Sequence, residues 1–202
     1  MTPRDFALLA QEAYTAAPDI GKADSASRAI VRQTAAGLVI AFRGSDNADS
    51  WETDFDIETV DVAGAGKFHA GFWSAWEAIK VPVLAAIDGQ PVTLVGHSLG
   101  AALAIAAALD MTISGNPPAA VFGFEPPRVS PDMSARVALS RVDVRLYRNG
   151  LDIVPTVPLD WRHAAMLIRI GKPSLPFPNT LDHRISEVID ALQVVTGSGV
   201  PA

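Results

Sequence analysis

The sequence predicts an α/β domain with a mostly parallel central sheet and helices on both faces. Three observations carry this reading. Short apolar strand-like runs alternate along the chain with helical runs. The helical runs place their apolar residues three and four apart. The chain has 202 residues, 49% apolar and 19% charged, enough to bury a core and too apolar for a disordered segment. Residues 1–202 read as a single domain, without repeats and without a linker.

Residues 4–17 bring Phe6, Leu9, Ala10, Ala13 and Tyr14 to one helical face. Residues 29–34 and 38–42 are strand-like, with Ala35, Ala36 and Gly37 as a hairpin turn between them. Residues 72–87 carry Phe72, Trp73, Trp76, Ile79, Val83 and Ile87, a helix that Pro82 bends or interrupts. Asp88-Gly89-Gln90-Pro91 stops it. A short apolar strand at 92–95 runs into an Ala-rich helix at 98–111. There follow a strand at 119–124, a helix at 131–140, and strands at 142–147 and 165–170. A terminal helix at 181–195 has Ile185, Val188, Ile189 and Leu192 on one face. The loops 151–163 and 171–180 are too long for plain connectors, and Pro173, Pro176 and Pro178 stiffen the second.

Charge narrows the function. The formal net charge is -6, from 16 basic and 22 acidic residues. A duplex-binding surface needs a basic excess, so no nucleic-acid partner is expected. Seven of the acids (Asp46, Asp49, Glu52, Asp54, Asp56, Glu58 and Asp61) lie between Ser45 and Gly66, where there is no Lys or Arg. Cysteine is absent, which removes disulfides, thiolate nucleophiles and cysteine-ligated zinc. The apolar stretch near the N-terminus is broken by Gln11 and Glu12, so no signal segment is read and a cytoplasmic location is the expectation. The most apolar window, 94–113, contains His97, Ser98 and Asp110 and reads as a buried strand and helix rather than a membrane span.

The most informative motif is Gly96-His97-Ser98-Leu99-Gly100, set between a predicted strand and a predicted helix. A serine exposed at the end of a sheet must sit on a sharp turn. The residues two before and two after it then crowd the neighbouring backbone, so both need to be glycine. The helix that follows points its N-terminus at the site, which favours developing negative charge. Ala101 and Ala102 let that helix pack closely. The plainer alternative is a tight turn that carries a solvent-facing serine.

Five runs resemble the class 3 lipases, the fungal-lipase-like α/β hydrolases. They are Val39-Ile-Ala-Phe-Arg-Gly-Ser, His69-Ala-Gly-Phe, Gly96-His-Ser-Leu-Gly-Ala, Pro127-Arg-Val and Arg148-Asn-Gly-Leu-Asp-Ile-Val-Pro. They occur in family order and span roughly residues 6–192. The resemblance implies an α/β-hydrolase fold and a serine esterase that acts on carboxylic esters, often acylglycerols. It implies no cofactor and no metal, at most transient contact with a lipid interface, and a monomer by default.

A serine hydroxyl needs an adjacent base, and the base needs a partner that sets its tautomer. Acids after Ser98 include Asp110, Glu125, Asp132, Asp143, Asp152, Asp160 and Asp182. Asp152 begins a loop after a predicted strand, where an Asx-turn is the plainer role. The resemblance places the family's catalytic Asp there. Of the four histidines, His69 precedes the nucleophile and His97 lies inside the elbow, held away from the Ser98 hydroxyl. His163 and His183 remain, and the resemblance makes the later one catalytic, with His163 structural. It also implies Ser45 as an oxyanion donor beside the Leu99 N–H, although Ser45 could equally cap a following helix. Arg43 is expected to anchor that loop by an ion pair.

The acidic segment 46–60 stands where the family carries its lid. Trp51 and Phe55 give it a short apolar face beside the substrate, and its acids should avoid anionic membranes. Calcium binding by Asp46, Asp49, Asp54 and Asp56 and a plain solvated face are the rival readings. Where the family has a Gly-Gln-Pro-Arg-Val-Gly-like run, this chain has Glu125-Pro126-Pro127-Arg128-Val129-Ser130. Glu125 is thus substrate-adjacent, free to alter pocket polarity or to pair with Arg128. The expected substrates are short- to medium-chain acyl esters. A thioesterase or acyltransferase with the same triad, or a binding module that kept the fold, are the alternatives.

Overall fold

The computed structural model describes residues 1–45, 57–175 and 180–197. Its centre is a six-stranded sheet in the order β1-β2-β5-β6-β7-β8. The strands are β1 (Ala29–Thr34), β2 (Gly37–Phe42), β5 (Val92–His97), β6 (Ala120–Phe124), β7 (Asp143–Asn149) and β8 (Leu167–Ile170). β1 pairs antiparallel with β2, and every other pairing in this sheet is parallel. The hairpin turn is tight, and Gly37 opens β2 at φ +92°, a conformation that suits glycine.

Period-two alternation sorts the strands' side chains onto two faces. On β2, Leu38, Ile40 and Phe42 join the core under one face, while Val39 and Ala41 join the core under the other. The first face is covered by α2 (Ala70–Glu77), α3 (Lys80–Ile87) and α4 (Leu99–Ile113). The second is covered by α1 (Pro3–Thr15) and α6 (Ile185–Gly197), which bring Phe6, Ala7, Ala10, Val188, Ile189 and Leu192. A capping box starts α1, with Thr2 and Asp5 reciprocally bonded. α4 is buried all round from Leu99 to Met111 and forms the central post of the fold.

Three elements differ from the sequence expectation. The single helix over 72–87 is two helices broken at Ala78 and Ile79, ahead of the proline. Pro82 sits in the first turn of α3, where its missing N–H is one the helix leaves unpaired anyway. A second, two-stranded sheet, β3 (Thr59–Val62) with β4 (Gly66–His69), follows the acidic segment, which had carried no strand expectation. The helix expected over 131–140 contracts to α5 (Ser134–Ala138). Of the lid-like segment 46–60, residues 46–56 lie outside the described residues, and Thr59 already opens β3. Pro176 and Pro178 also lie outside them. Among the described residues no helix is long and apolar enough to cross a membrane.

Candidate active site

Five loops converge at the carboxyl ends of the parallel strands, the edge where open α/β sheets collect their functional groups. β5 delivers Ser98, β6 delivers Glu125, and β7 delivers Asn149 and the loop to Asp152. β2 delivers Gly44 and Ser45, and the turn that leads into α6 delivers His183.

Ser98 is the N-cap of α4 and adopts φ +56°, ψ -125°, strained for a side-chain-bearing residue. The flanking glycines are there for space. A Cβ at Gly96 would lie 2.1 Å from the Gly100 carbonyl oxygen, and one at Gly100 would lie 2.2 Å from that of Phe42. Gly44 is equally confined, since its Cβ would fall 1.9 Å from the Tyr14 hydroxyl and 2.6 Å from the His97 carbonyl. The β2 loop is thereby pressed against the elbow, with Ser45 next along it. Leu99 is the first residue of α4, so its N–H is one of the four that the helix leaves unpaired.

His183 Nδ1 lies 2.7 Å from Asp152 Oδ2, and both side chains are buried. Since an ionised carboxylate can only accept, Nδ1 carries the proton and Nε2 is left as an acceptor. That Nε2 and the Ser98 Oγ are both buried without a hydrogen-bond partner among the described residues. His183 sits in a turn two residues before α6, not on the helix itself. Asp152 Oδ1 accepts the Val154 N–H at 3.0 Å, so the Asx-turn and the bond to His183 coexist on one carboxylate. Burial alone would raise the Asp152 pKa, but the neighbouring Glu125 carboxyl and the bonds from His183 and Val154 outweigh it and hold the carboxyl below its ordinary range.

The other sequence candidates fall elsewhere. Asp110 takes the Trp76 indole N–H at 3.1 Å and the Lys80 ammonium at 2.9 Å, tying α2 and α3 to α4. Asp132 accepts the Ser134 N–H, and Asp143 pairs with Arg145. Asp182 accepts the Leu151 N–H at 2.9 Å and the Ser174 N–H at 3.2 Å. It thereby clamps the two loops that carry Asp152 and His183. His69 caps α2 through the Phe72 N–H and stacks on that ring at 4.0 Å. His163 donates from Nε2 to the Pro155 carbonyl at 2.8 Å, and burial, with Arg128 and Arg148 nearby, pushes its pKa down to about 4.

His97 does more than stay out of the way. Its Nε2–H donates to the His183 carbonyl at 2.7 Å, which requires that Nδ1 accept, and the Tyr14 hydroxyl donates to it at 2.7 Å. Burial, with His183 nearby, pulls its pKa down to about 3 and keeps it neutral. Tyr14, 83 residues away in sequence, therefore supports the His183 backbone through His97. Nothing in the sequence marked that link. Arg43 lies over the Tyr14 ring, 5.4 Å from its centroid. That stacking helps to anchor its loop.

Glu125 departs furthest from expectation. It is fully buried beside Asp152. It is not paired with Arg128, which donates to the Pro158 carbonyl instead. Glu125, Asp152 and His183 each offer an atom within a 4.8 Å cluster, a geometry that could also hold a metal ion. Both Asp152 oxygens already accept hydrogen bonds, from Val154 and from His183. The residues named for a lid or for calcium (Trp51, Phe55, Asp46, Asp49, Asp54 and Asp56) lie outside the described residues.

Residues 39–161 match the family described as lipase (class 3). The chain belongs to the class 3 lipase family. It is 28% identical over 190 residues to the secreted mono- and diacylglycerol lipase A of Penicillium cyclopium, covering 88% of this chain and 62% of that protein. It is 33% identical over 143 residues to the secreted mono- and diacylglycerol lipase 1 of Fusarium solani, covering 63% of this chain and 42% of that protein. The chain thus spans less than two thirds of the length of these class 3 relatives. Among solved structures, a mutant form of MDLA from Penicillium cyclopium superimposes with a TM-score of 0.71 at 22% identity, covering 99% of this chain and 88% of that one. That likeness establishes the α/β-hydrolase fold. The cytoplasmic expectation is overturned, because both curated relatives are named as secreted.

Proposed function

We propose that the chain is a serine-dependent carboxylic ester hydrolase with a Ser98–His183–Asp152 triad. The observation that carries the reading is a pair of buried, unpartnered atoms, Ser98 Oγ and His183 Nε2, with His183 already held in the required tautomer by Asp152. Buried polar atoms generally find partners, so a nucleophile oxygen and a base nitrogen left unpartnered at one sheet edge are what a site waiting for substrate would have.

In this mechanism His183 Nε2 takes the Ser98 proton as Oγ attacks the ester carbonyl carbon. The oxyanion receives the N–H groups of Leu99 and Ser45 at the N-terminus of α4. His183 then gives the proton to the departing alcohol and leaves an acyl group on Ser98. Water repeats the sequence and releases the acid. Asp152 stays ionised throughout and stabilises the imidazolium. The substrates we propose are short- to medium-chain acyl esters, acylglycerols among them, met outside the cell as for the secreted relatives.

Hydrolysis of p-nitrophenyl esters from acetate to palmitate, by wild type and Ser98→Ala in parallel, tests both parts. Turnover by wild type, with a loss of at least about 10³-fold in the variant, is expected. An optimum at palmitate would contradict the chain-length assignment, and equal rates in the two proteins would contradict the nucleophile.

A further inference from the structure

Glu125 occupies a conformation that costs the chain something. Its φ is +50°, in the left-handed region that glycine adopts freely and a side-chain-bearing residue does not. It stands, moreover, where the family-like run begins with glycine. The chain therefore keeps a strained backbone and buries a carboxyl group completely, where glycine would have neither problem.

The contacts say what the carboxyl does. Oε1 accepts the Asn149 N–H at the end of β7. Oε2 is buried with no partner among the described residues. An oxygen of Glu125, an oxygen of Asp152 and a ring nitrogen of His183 lie within 4.8 Å of one another. Two adjacent buried carboxyls cannot both be ionised, so one proton is retained between them. Both oxygens of Asp152 already accept donors, from Val154 and His183, so Asp152 is the anion. Oε2 is the one carboxyl oxygen of the four for which no donor is found, so it is where the proton belongs.

We propose that Glu125 is a positioning residue, a neutral carboxylic acid whose Oε2–H donates to the Asp152 carboxylate and holds it against His183. The inference rests on the triad reading above. It supplies Asp152 with a donor without adding a second negative charge beside the imidazole. Burial pushes the Glu125 carboxyl well above its ordinary range, and Asp152 pushes it further, against the Asn149 N–H and Arg148. The groups facing it are Asp152 and His183 from the loops and Arg148 and Asn149 from β7. The neighbouring β5 ends in His97, which is neutral.

The test uses wild type, Glu125→Gln and Glu125→Gly. Glutamine keeps a donor but cannot titrate, and glycine removes the donor and relieves the strain. Infrared spectroscopy at pH 7 should find the C=O stretch of a neutral buried acid in wild type and not in Glu125→Gln. Ester hydrolysis should stay within about threefold of wild type in Glu125→Gln and fall by about tenfold or more in Glu125→Gly. The melting temperature supplies a readout independent of catalysis. The folded state retains a proton that the unfolded chain releases above about 4.5, so wild type loses stability as pH rises past that value. Glu125→Gln lacks that loss, and its advantage over wild type should grow from pH 5 to pH 8. Absence of the acid band, parallel melting curves, or equal activity loss in both variants overturns the proposal. If no ester is turned over at all, the triad reading fails, while the infrared and melting data still decide where the proton sits.

Discussion

Each catalytic role proposed here depends on a proton held at one atom. Asp152 holds His183 Nδ1–H at 2.7 Å, and His97 holds the His183 carbonyl at 2.7 Å. Replacing Asp152 by Asn leaves the shape but lets an amide N–H face Nδ1, which turns the imidazole to the wrong tautomer. kcat should fall by about 10⁴-fold while the fold persists, as ester kinetics and circular dichroism would show. A fall of less than tenfold would mean that Asp152 serves the Val154 turn alone. At this scale much was legible in the sequence. The elbow glycines and Ser98 sit in a short motif whose chemistry dictates its spacing, whereas Asp152 and His183 were singled out by the family resemblance. Tyr14 was not legible, because its partner His97 is brought to it only by the packing of α1 on the sheet. Glu125 was legible as an oddity but not in its role, since burial and a positive φ cannot be read from a residue's name.

Elements decide whether the elbow can close. α4 passes so near β2 that a Cβ at Gly100 would meet the Phe42 carbonyl oxygen at 2.2 Å, a backbone atom with no room to retreat. Gly100→Ala should therefore cost about 1–3 kcal/mol in urea unfolding and shift Leu99 and Ser98 with it, so activity should fall as well. An unchanged unfolding midpoint would show that the helix has slack. Strand and helix positions followed the apolar pattern because the central strand β5 buries both faces, α1 buries one, and α4 is buried all round. The break at Ala78–Ile79 did not follow from Pro82, since a proline in a first helical turn costs nothing that the turn had not already lost. The β3–β4 hairpin was hidden too. Its strands are four residues each, so the alternation of Thr59 and Asp61 with Val60 and Val62 is too short to stand out, and β4 has no alternation.

For the whole molecule, charge and pH matter most. His97 and His163 are buried neutral, with pKa values pulled down to about 3 and about 4 from an ordinary 6.5. The unfolded chain takes up protons below pH 6.5 that the folded chain refuses, so each histidine removes stability as pH falls from 6.5 toward its folded value. Between pH 7 and pH 5 the His163 share is about 2 kcal/mol. His163→Gln should lose less stability than wild type by about that amount over this range, measured by urea titration at both pH values. Identical losses would place the acid sensitivity elsewhere. The acidic excess was legible as a charge. It was not legible as a location in the cell, and the secreted relatives corrected that expectation.

The most direct measurement is covalent labelling by a fluorophosphonate at neutral pH, with the modified residue located by peptide mass spectrometry. The account predicts stoichiometric labelling at Ser98, slowed at least about 10³-fold in His183→Ala and abolished in Ser98→Ala. Labelling at another residue, or an equal rate in His183→Ala, would contradict the triad on which the account rests.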